Sequence, residues 1–366
     1  MENVEWGEYR IEDVLEWQSQ KEIDPLKLEE LKDEIEKKYP FYGQSTSNNG
    51  IISYNQLTNK VLNNKNGKPT ILIHSNNQNI VYLETPFYLK DGHGATSVLQ
   101  SEDLSEKNQM FVIASIDKVI KSKYSYNNKA TKIELKNTVI KLPIKNGKID
   151  FEFMESFIVE LELERILEIE AYLEASGLKN YTLINEEEQI LEDFKNGKIK
   201  FTEFKVGELF EINSYKKRFD ANKVTISEIG KPYVVRTSLN NGIRGYIDED
   251  KQFLNEENTI SFGQDTATMF YQEKPYFTGD KIKIVKSKNS RFNKLNAHFF
   301  VSTMTKSFSS FSWGGSSFSV KIIGSQPMEL PTKNKQPDYE LMETLISAIQ
   351  KMVIKDVVLY VERKNY

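Results

Sequence analysis

The feature that most constrains this chain is that it is written twice. Residues 150–158, DFEFMESFI, align without a gap with residues 338–346, DYELMETLI. Each segment opens a long stretch with apolar residues at helical spacing. In the first these are Met154, Phe157, Ile158, Leu161, Leu163, Ile166, Leu167 and Leu173, with Gly177 as a stop. In the second they are Met342, Leu345, Ile346, Ile349, Met352, Val353 and Tyr360. A helix of about 25 residues rises roughly 37 Å, which is long for a globular protein.

The repetition extends upstream of both helices. Trp6, Tyr9, Ile11 and Leu15 correspond to Phe201, Phe204, Val206 and Phe210. Residues 46–54, TSNNGIISY, match residues 237–246, TSLNNGIRGY, with one inserted residue, and Asn-Gly between extended segments signals a tight turn. Thr70-Ile71 pairs with Thr259-Ile260, Val81-Tyr82 with Phe270-Tyr271, and Phe111-Val112 with Phe300-Val301, all at an offset of 189. Leu142-Pro143 pairs with Leu330-Pro331 at 188. Near-constant offsets over this length mark a duplicated domain rather than a short-period solenoid. The runs between are short, β-branched or aromatic, and punctuated by Asn, Gly and Pro, so they read as strands. Asp24-Pro25 reads as the start of a short helix with Leu28, Leu31 and Ile35 on its buried face, ending at Tyr39-Pro40.

The expected fold is therefore α+β. Two tandem strand-rich domains, 1–149 and 201–333, are each followed by a long helix, 150–177 and 334–366, with a connector at 178–200 that carries a short acidic helix. Amphipathic stripes must be buried, and an antiparallel coiled coil between the two helices gives a pseudo-two-fold repeat with a spacer of roughly 35–40 Å between the domains. One turn of B-DNA is about 34 Å, so the spacer suits a bipartite DNA site; ordinary core packing of the same stripes is the alternative.

Charge is unevenly placed. The net charge is −4, but residues 151–198 hold thirteen acids against four bases, about −9, which leaves the rest of the chain near +5. A mildly basic remainder permits nucleic acid without demanding it. There is no cysteine, and His74, His93 and His298 are far apart, which argues against a thiolate- or histidine-built metal site. No apolar run reaches membrane-spanning length and the N-terminus lacks the pattern of a signal peptide, so a cytoplasmic protein without membrane contact is expected.

Here the chain resembles the specificity subunits of type I restriction–modification systems. The residues that carry the resemblance are Phe204 to Ile212 (FKVGELFEI), Pro232 to Thr237 (PYVVRT), Asn240 to Ile243 (NNGI), Tyr271-Gln272, Gly279-Asp280, Leu330-Pro331, and Asp338 with Met342. The second copy matches well and the first follows it in order, over nearly the whole chain. The connector is closer to segments that lead into the recognition domains of type IIB and IIG systems. The resemblance implies two target-recognition domains and paired spacer helices with Met154, Phe157, Ile158, Leu161, Met342, Leu345, Ile346, Ile349, Met352 and Val353 at the helix and subunit interface. It implies double-stranded DNA and methyltransferase subunits as partners, and a nuclease–translocase subunit in complexes of type I. It implies no cofactor in this chain, the partner methyltransferase binding S-adenosylmethionine for chemistry on adenine.

Base edges are read by Arg, Asn and Gln, and phosphates are held by Lys, Arg, Ser and Thr. Three polar segments per copy fit that use. In the second copy they are Arg236, Thr237, Ser238, Asn240, Asn241 and Arg244; then Gln264, Asp265, Thr266 and Thr268; then Lys306, Ser307, Ser309, Ser310 and Ser312. In the first they are Gln44, Ser45, Thr46, Ser47, Asn48 and Asn49; then Ser75, Asn76, Asn77, Gln78 and Asn79; and, more weakly, Lys121 and Lys123. Asn48, Asn49, Asn240 and Asn241 fit a turn-forming role better than a base-reading one. Signatures of enzymes are missing from the sequence. Gly67-Lys68 has Leu62 where a P-loop needs glycine, no Asn/Asp-Pro-Pro-aromatic tetrapeptide occurs, and Glu134-Leu-Lys136 lacks an upstream acid for nuclease chemistry. A second reading is a duplicated β-rich module that binds carbohydrate or protein through Tyr124, Tyr126, Phe311 and Trp313. Steep salt dependence separates the two, because only DNA binding releases condensed counterions.

Overall fold

The computed structural model describes residues 4–34, 37–125, 127–309 and 318–364. The chain divides into two compact units, Met1–Glu168 and Ile169–Tyr366.

In the first unit the strand Glu5–Arg10 pairs antiparallel with Val139–Lys145, which turns back onto Lys148–Ile149. An antiparallel sheet runs in the order Glu16–Trp17, Thr96–Gln100, Thr70–His74, Ile80–Leu83. A mixed sheet runs Glu22–Ile23, Tyr88–Lys90, Tyr39–Tyr42, Ile51–Asn55. Ile71, Ile73 and Leu99 form one wall of the core, and Val112, Ile116 and Ile120 of the helix Glu106–Lys123 close it.

The second unit repeats this plan, except that its third sheet has three strands and an isolated bridge from Arg218 to Thr278 stands where Glu22–Ile23 pairs in the first. Phe201–Lys205 pairs with Pro327–Lys333 and then Gln336–Pro337. The antiparallel sheet is Phe210–Ser214, Ile282–Ser287, Thr259–Gly263, Thr268–Gln272, and the third is Ile243–Ile247, Lys231–Val234, Phe277–Thr278. The helix Lys294–Phe308 takes the place of Glu106–Lys123, with Phe300, Met304 and Phe308 buried. The expected strand-rich repeat is present, and the offsets have a structural cause. Asp150 donates its backbone N–H to the Pro143 carbonyl at 2.9 Å and accepts from Phe153 N at 3.0 Å; Asp338 repeats this with Pro331 at 2.8 Å and Leu341 N at 3.1 Å. Each aspartate thus caps a long helix while fixing where it leaves the sheet.

Those helices are Phe151–Ala175 and Tyr339–Lys364. Gly177, at φ 70°, ends the first through bonds from Leu178 N to Leu173 O and from Gly177 N to Glu174 O, a six-to-one and five-to-two closure. The expected interface stripe is corrected in part. Met154 and Ile158 lie in the first unit's own core, with Phe157 packed against it, and Met342 lies in the second unit's core. Leu345 is 1% exposed, whereas Ile349, Met352 and Val353 are 38%, 56% and 73% exposed and Leu161 is 38% exposed. Ile346 is half-buried. The first turns of each helix are therefore claimed by the domain that precedes them.

The expected helix after Asp24 is also corrected. Asp24 caps it, accepting from Leu26 N at 3.0 Å, and Pro25 takes the first position, but only the short 3₁₀ turns Pro25–Lys27 and Glu29–Leu31 follow. Lys32 then leaves helical geometry to bridge Leu57. Leu28 and Leu31 reach the Phe41 and Tyr88 cluster from these turns, and Ile35 lies outside the described residues. Tyr39-Pro40 opens a strand, as the bias against helix before proline requires.

The acidic connector helix, Asn185–Lys195, is docked rather than free. Glu187, 3% exposed, accepts from Ser347 Oγ and from Lys351 Nζ, both at 2.7 Å. Burial alone would raise its pKa, but Lys351, the Ile184 amide and Ser347 outweigh that and lower it. A carboxylate depressed in the folded state contributes stability above its unfolded pKa and loses it as pH falls through the folded value. Glu187→Gln should therefore cost about 1.5–3 kcal/mol at neutral pH, the range for a hydrogen bond to a charged group. Urea denaturation at a series of pH values should show that gap closing in acid; a gap constant with pH would rule the ion pair out as its source.

Candidate nucleic-acid interface

Each unit brings its first two polar segments together at the ends of neighbouring strands. The first follows the strand Tyr39–Tyr42 or Lys231–Val234. In both, the register shifts by one residue at the strand end, between Phe41 and Tyr42 and between Tyr233 and Val234. Gly43 N then bonds Gly50 O and Ser45 N bonds Gly43 O; Val235 N bonds Gly242 O and Thr237 N bonds Val235 O. The two loops match at a constant offset of 192, with Gln44 standing at Arg236 and Ser45 at Thr237. This corrects the one-residue insertion expected from sequence.

The Asn-Asn-Gly segments form the expected tight turns, closed by Gly50 N to Ser47 O at 3.0 Å and by Gly242 N to Leu239 O at 2.9 Å. Three successive residues are left-handed: Asn48, Asn49 and Gly50 at φ 48°, 50° and 82°, and Asn240, Asn241 and Gly242 at 46°, 51° and 78°. Asparagine tolerates this conformation and glycine favours it. At Gly242 a Cβ would also come within 3.1 Å of the Phe270 ring. Asn48 Nδ2 donates to Ile51 O at 3.2 Å and Asn240 Nδ2 to Ile243 O at 3.1 Å. These asparagines hold their own turns. Thr46, Ser47 and Ser238 are the exposed polar side chains beside them.

The second segment caps the hairpin after Thr70–His74 or Thr259–Gly263. In the first unit it staples the first loop. Asn77 Nδ2 donates to Gln44 O at 3.2 Å, Asn79 Nδ2 to Ser45 O at 3.1 Å, and Asn76 Nδ2 to Gln44 Oε1. Gln78 is 7% exposed and bonds Ser75 O, so its expected place on the DNA surface is corrected to an interior one. In the second unit Arg236 Nη1 meets Asp265 Oδ2 at 2.7 Å, and Lys281 Nζ meets the same oxygen at 2.7 Å. Lys281 first, and Arg236 after it, hold the Asp265 carboxyl below its ordinary range. Thr266 and Thr268 share a hydroxyl bond at 3.0 Å.

A residue further along the chain than the third segment bonds the second one in each unit. Ala130 N donates to Ser75 O at 3.1 Å, and Gln264 Nε2, from the position matching Ser75, donates to Phe318 O at 2.7 Å. Gln264 is thus engaged within its own unit, on the Phe318 carbonyl. Lys121 and Lys123 end the helix Glu106–Lys123; Lys121 pairs with Asp117 at 2.8 Å and Lys123 lies over the Tyr124 ring. Lys306 and Ser309 sit at the end of the matching helix, with Ser309 Oγ donating to Lys306 O at 2.7 Å. Ser310 and Ser312 lie outside the described residues.

Sequence reasoning missed the surroundings of Arg236. Arg218 Nη1 meets Asp280 Oδ1 at 3.5 Å, and Arg236 Nη2 lies 3.8 Å from Asp280 Oδ2. With exposed Arg244 they line a cleft of about 360 Å³. The basic run Lys216-Lys217-Arg218 was the available signal. In the first unit Glu22 stands at Arg218, because both flank the matching strand (Glu22 opposite Leu89, Arg218 opposite Thr278), and Ile52 stands at Arg244. The two loop clusters share a backbone plan and differ in charge. His74 adds no positive charge at neutral pH, since burial lowers its pKa to about 4.

Among the described residues no cluster of three or more His, Asp or Glu side chains could hold a metal ion, and no helix is long and apolar enough to cross a membrane.

The family model for the type I restriction modification DNA specificity domain matches twice, over residues 3–171 and 198–359. The chain is 34% identical over 158 residues to the type II restriction enzyme BgcI specificity subunit S.BcgI of Heyndrickxia coagulans, a match over 42% of this chain and 45% of that relative. Its fold is similar to that of the type I restriction–modification S subunit from M. genitalium, at 14% identity and a TM-score of 0.59 over 99% of this chain and 92% of that one. With two copies of the family's domain spanning most of its length, the chain belongs to the type I restriction modification DNA specificity domain family.

Proposed function

We propose that this chain is the non-catalytic DNA-reading subunit of a restriction–modification complex, and that it recognises a bipartite duplex site. The observation that carries this is the duplication of one loop cluster on one fold with different side chains in each copy. Two readers with the same backbone and different polar groups suit two half-sites of different sequence. The residues facing DNA are Gln44, Ser45, Thr46, Ser47, Lys121 and Lys123 in one unit. In the other they are Arg236, Thr237, Ser238, Arg244, Thr266, Lys306 and Ser309. The long helices set the half-site spacing by pairing antiparallel. Their exposed apolar residues, Leu161 on one and Ile349, Met352 and Val353 on the other, receive methyltransferase subunits. Those subunits bind S-adenosylmethionine and methylate adenine, and a nuclease–translocase subunit joins in an assembly of type I. The similarity to a type II specificity subunit agrees with the connector sequence. Work on DNA places the chain in the cytoplasm.

The carbohydrate reading loses support at Tyr124, which is 5% exposed with its hydroxyl 2.8 Å from Thr138 Oγ1, so it is no platform. Tyr126, Phe311 and Trp313 lie outside the described residues. Salt titration of duplex binding by the full chain with its methyltransferase partner decides between the readings. With roughly six to ten phosphate contacts, affinity should fall about 10³- to 10⁵-fold between 50 and 200 mM salt. Binding indifferent to salt would overturn the proposal.

A further inference from the structure

The two units place one candidate base-reading side chain at the same backbone position, and each is gripped by a residue from the neighbouring hairpin. Gln44 and Arg236 are equivalent by the bonds around Gly43 and Val235. Asn76 and Asp265 are equivalent as the second residue after the strands Thr70–His74 and Thr259–Gly263, which share the offset of 189. Asn76 Nδ2 donates to Gln44 Oε1, and Arg236 Nη1 donates to Asp265 Oδ2 at 2.7 Å. Two polar pairs of different chemistry occupy one geometric slot, each joining the first loop to the second. Both readers remain half-buried, with part of the side chain open to solvent.

Each grip leaves the reading face of its side chain available. A guanidinium has five N–H groups, and Asp265 takes one at 2.7 Å while Asp280 stands 3.8 Å from another nitrogen. An amide oxygen has two lone pairs and Asn76 uses one, so Gln44 keeps an acceptor and the donors of its Nε2. Fixing a long side chain before contact removes rotamer entropy that binding would otherwise have to overcome. In the major groove arginine is bidentate to the O6 and N7 of guanine, and glutamine to the N6 and N7 of adenine.

We infer that Arg236, positioned by Asp265, reads a guanine in the half-site faced by the second domain, and that Gln44, positioned by Asn76, reads an adenine at the equivalent step of the other half-site. This rests on the DNA-reading function proposed above and adds to it the base class read at one position per domain. Lys281, on the same Asp265 oxygen, keeps that carboxylate ionised and turned toward Arg236.

The test is selection of bound duplexes from a randomised library by the full chain with its methyltransferase partner. Wild-type protein should enrich two half-sites, one with a guanine and one with an adenine at the assigned step. Arg236→Gln should lower the guanine preference at that single position about tenfold or more and leave the other half-site unchanged. Gln44→Arg should move the other half-site from adenine toward guanine. Asp265→Asn should blur the same guanine position without lowering total affinity, a readout that general loss of structure would not produce. If Arg236→Gln erases both half-sites, it has unfolded the protein, and Arg236→Lys decides: it keeps the charge beside Asp265 but not the bidentate fork, so guanine preference should still fall. A wild-type chain that enriches no sequence undoes the DNA-reading function itself. A wild-type motif that passes unchanged through Arg236→Lys and Gln44→Arg, or weakens equally at all positions, overturns this assignment and leaves that function standing.

Discussion

Met342→Asp should unfold the second unit. Met342 is fully buried among Phe300, Met328, Leu330 and Tyr339. Removing its side chain forfeits about 1.5–3 kcal/mol of burial, and an unpaired carboxylate in its place adds several more. A loss above about 4–5 kcal/mol is exceptional for one substitution and takes up much of the roughly 5–15 kcal/mol that holds a domain folded. Thermal denaturation followed by circular dichroism should show a transition missing or far below that of wild type. A variant that melts within a few degrees of wild type would mean that this position is not core. Met154, buried at the equivalent place in the first unit, should respond in the same way.

Further along the same helix the expectation reverses. Met352 and Val353 are 56% and 73% exposed, so replacing both with aspartate should change folding stability by no more than about 1 kcal/mol, twice the usual surface effect. It should nevertheless abolish co-purification with the methyltransferase subunit, because two charges would have to be desolvated in an apolar contact. Leu345→Asp looks similar in sequence but strikes a residue only 1% exposed, and should fail by misfolding. The contrast between Leu345 and Met352 separates a buried position of the helix from its exposed apolar face. Retained co-purification of a folded Met352→Asp, Val353→Asp variant would refute the use of that face.

The duplication was readable because each repeated position has a job that few residues do. Asp150 and Asp338 cap helices, Pro143 and Pro331 carry the carbonyls those caps answer to, and Gly50 and Gly242 close left-handed turns. Such roles are local, so they leave the same letters in both copies. The helix stripes were readable as apolar but not as divided, since periodicity records that Met342 and Met352 share a chemistry and not which neighbour covers them. The helix expected after Asp24 failed for a related reason. A good cap and proline start a turn, but the bridge from Lys32 to Leu57 ends it, and that partner is far along the chain.

The polar loops divide in the same way. By itself the sequence determined that the chain is two copies of a strand-rich domain and a helix, and which three segments of each copy carry the polar side chains, because those properties depend on residue type and spacing. Only the tertiary structure decided that Gln78 is interior, that Asn48 and Asn240 bind their own turns, and that Gln44 with Asn76 and Arg236 with Asp265 are matched pairs. A hydrogen bond joins atoms a few ångströms apart, and here it joins residues about thirty positions apart in the chain. The fold brings them together, and no local pattern of letters records it.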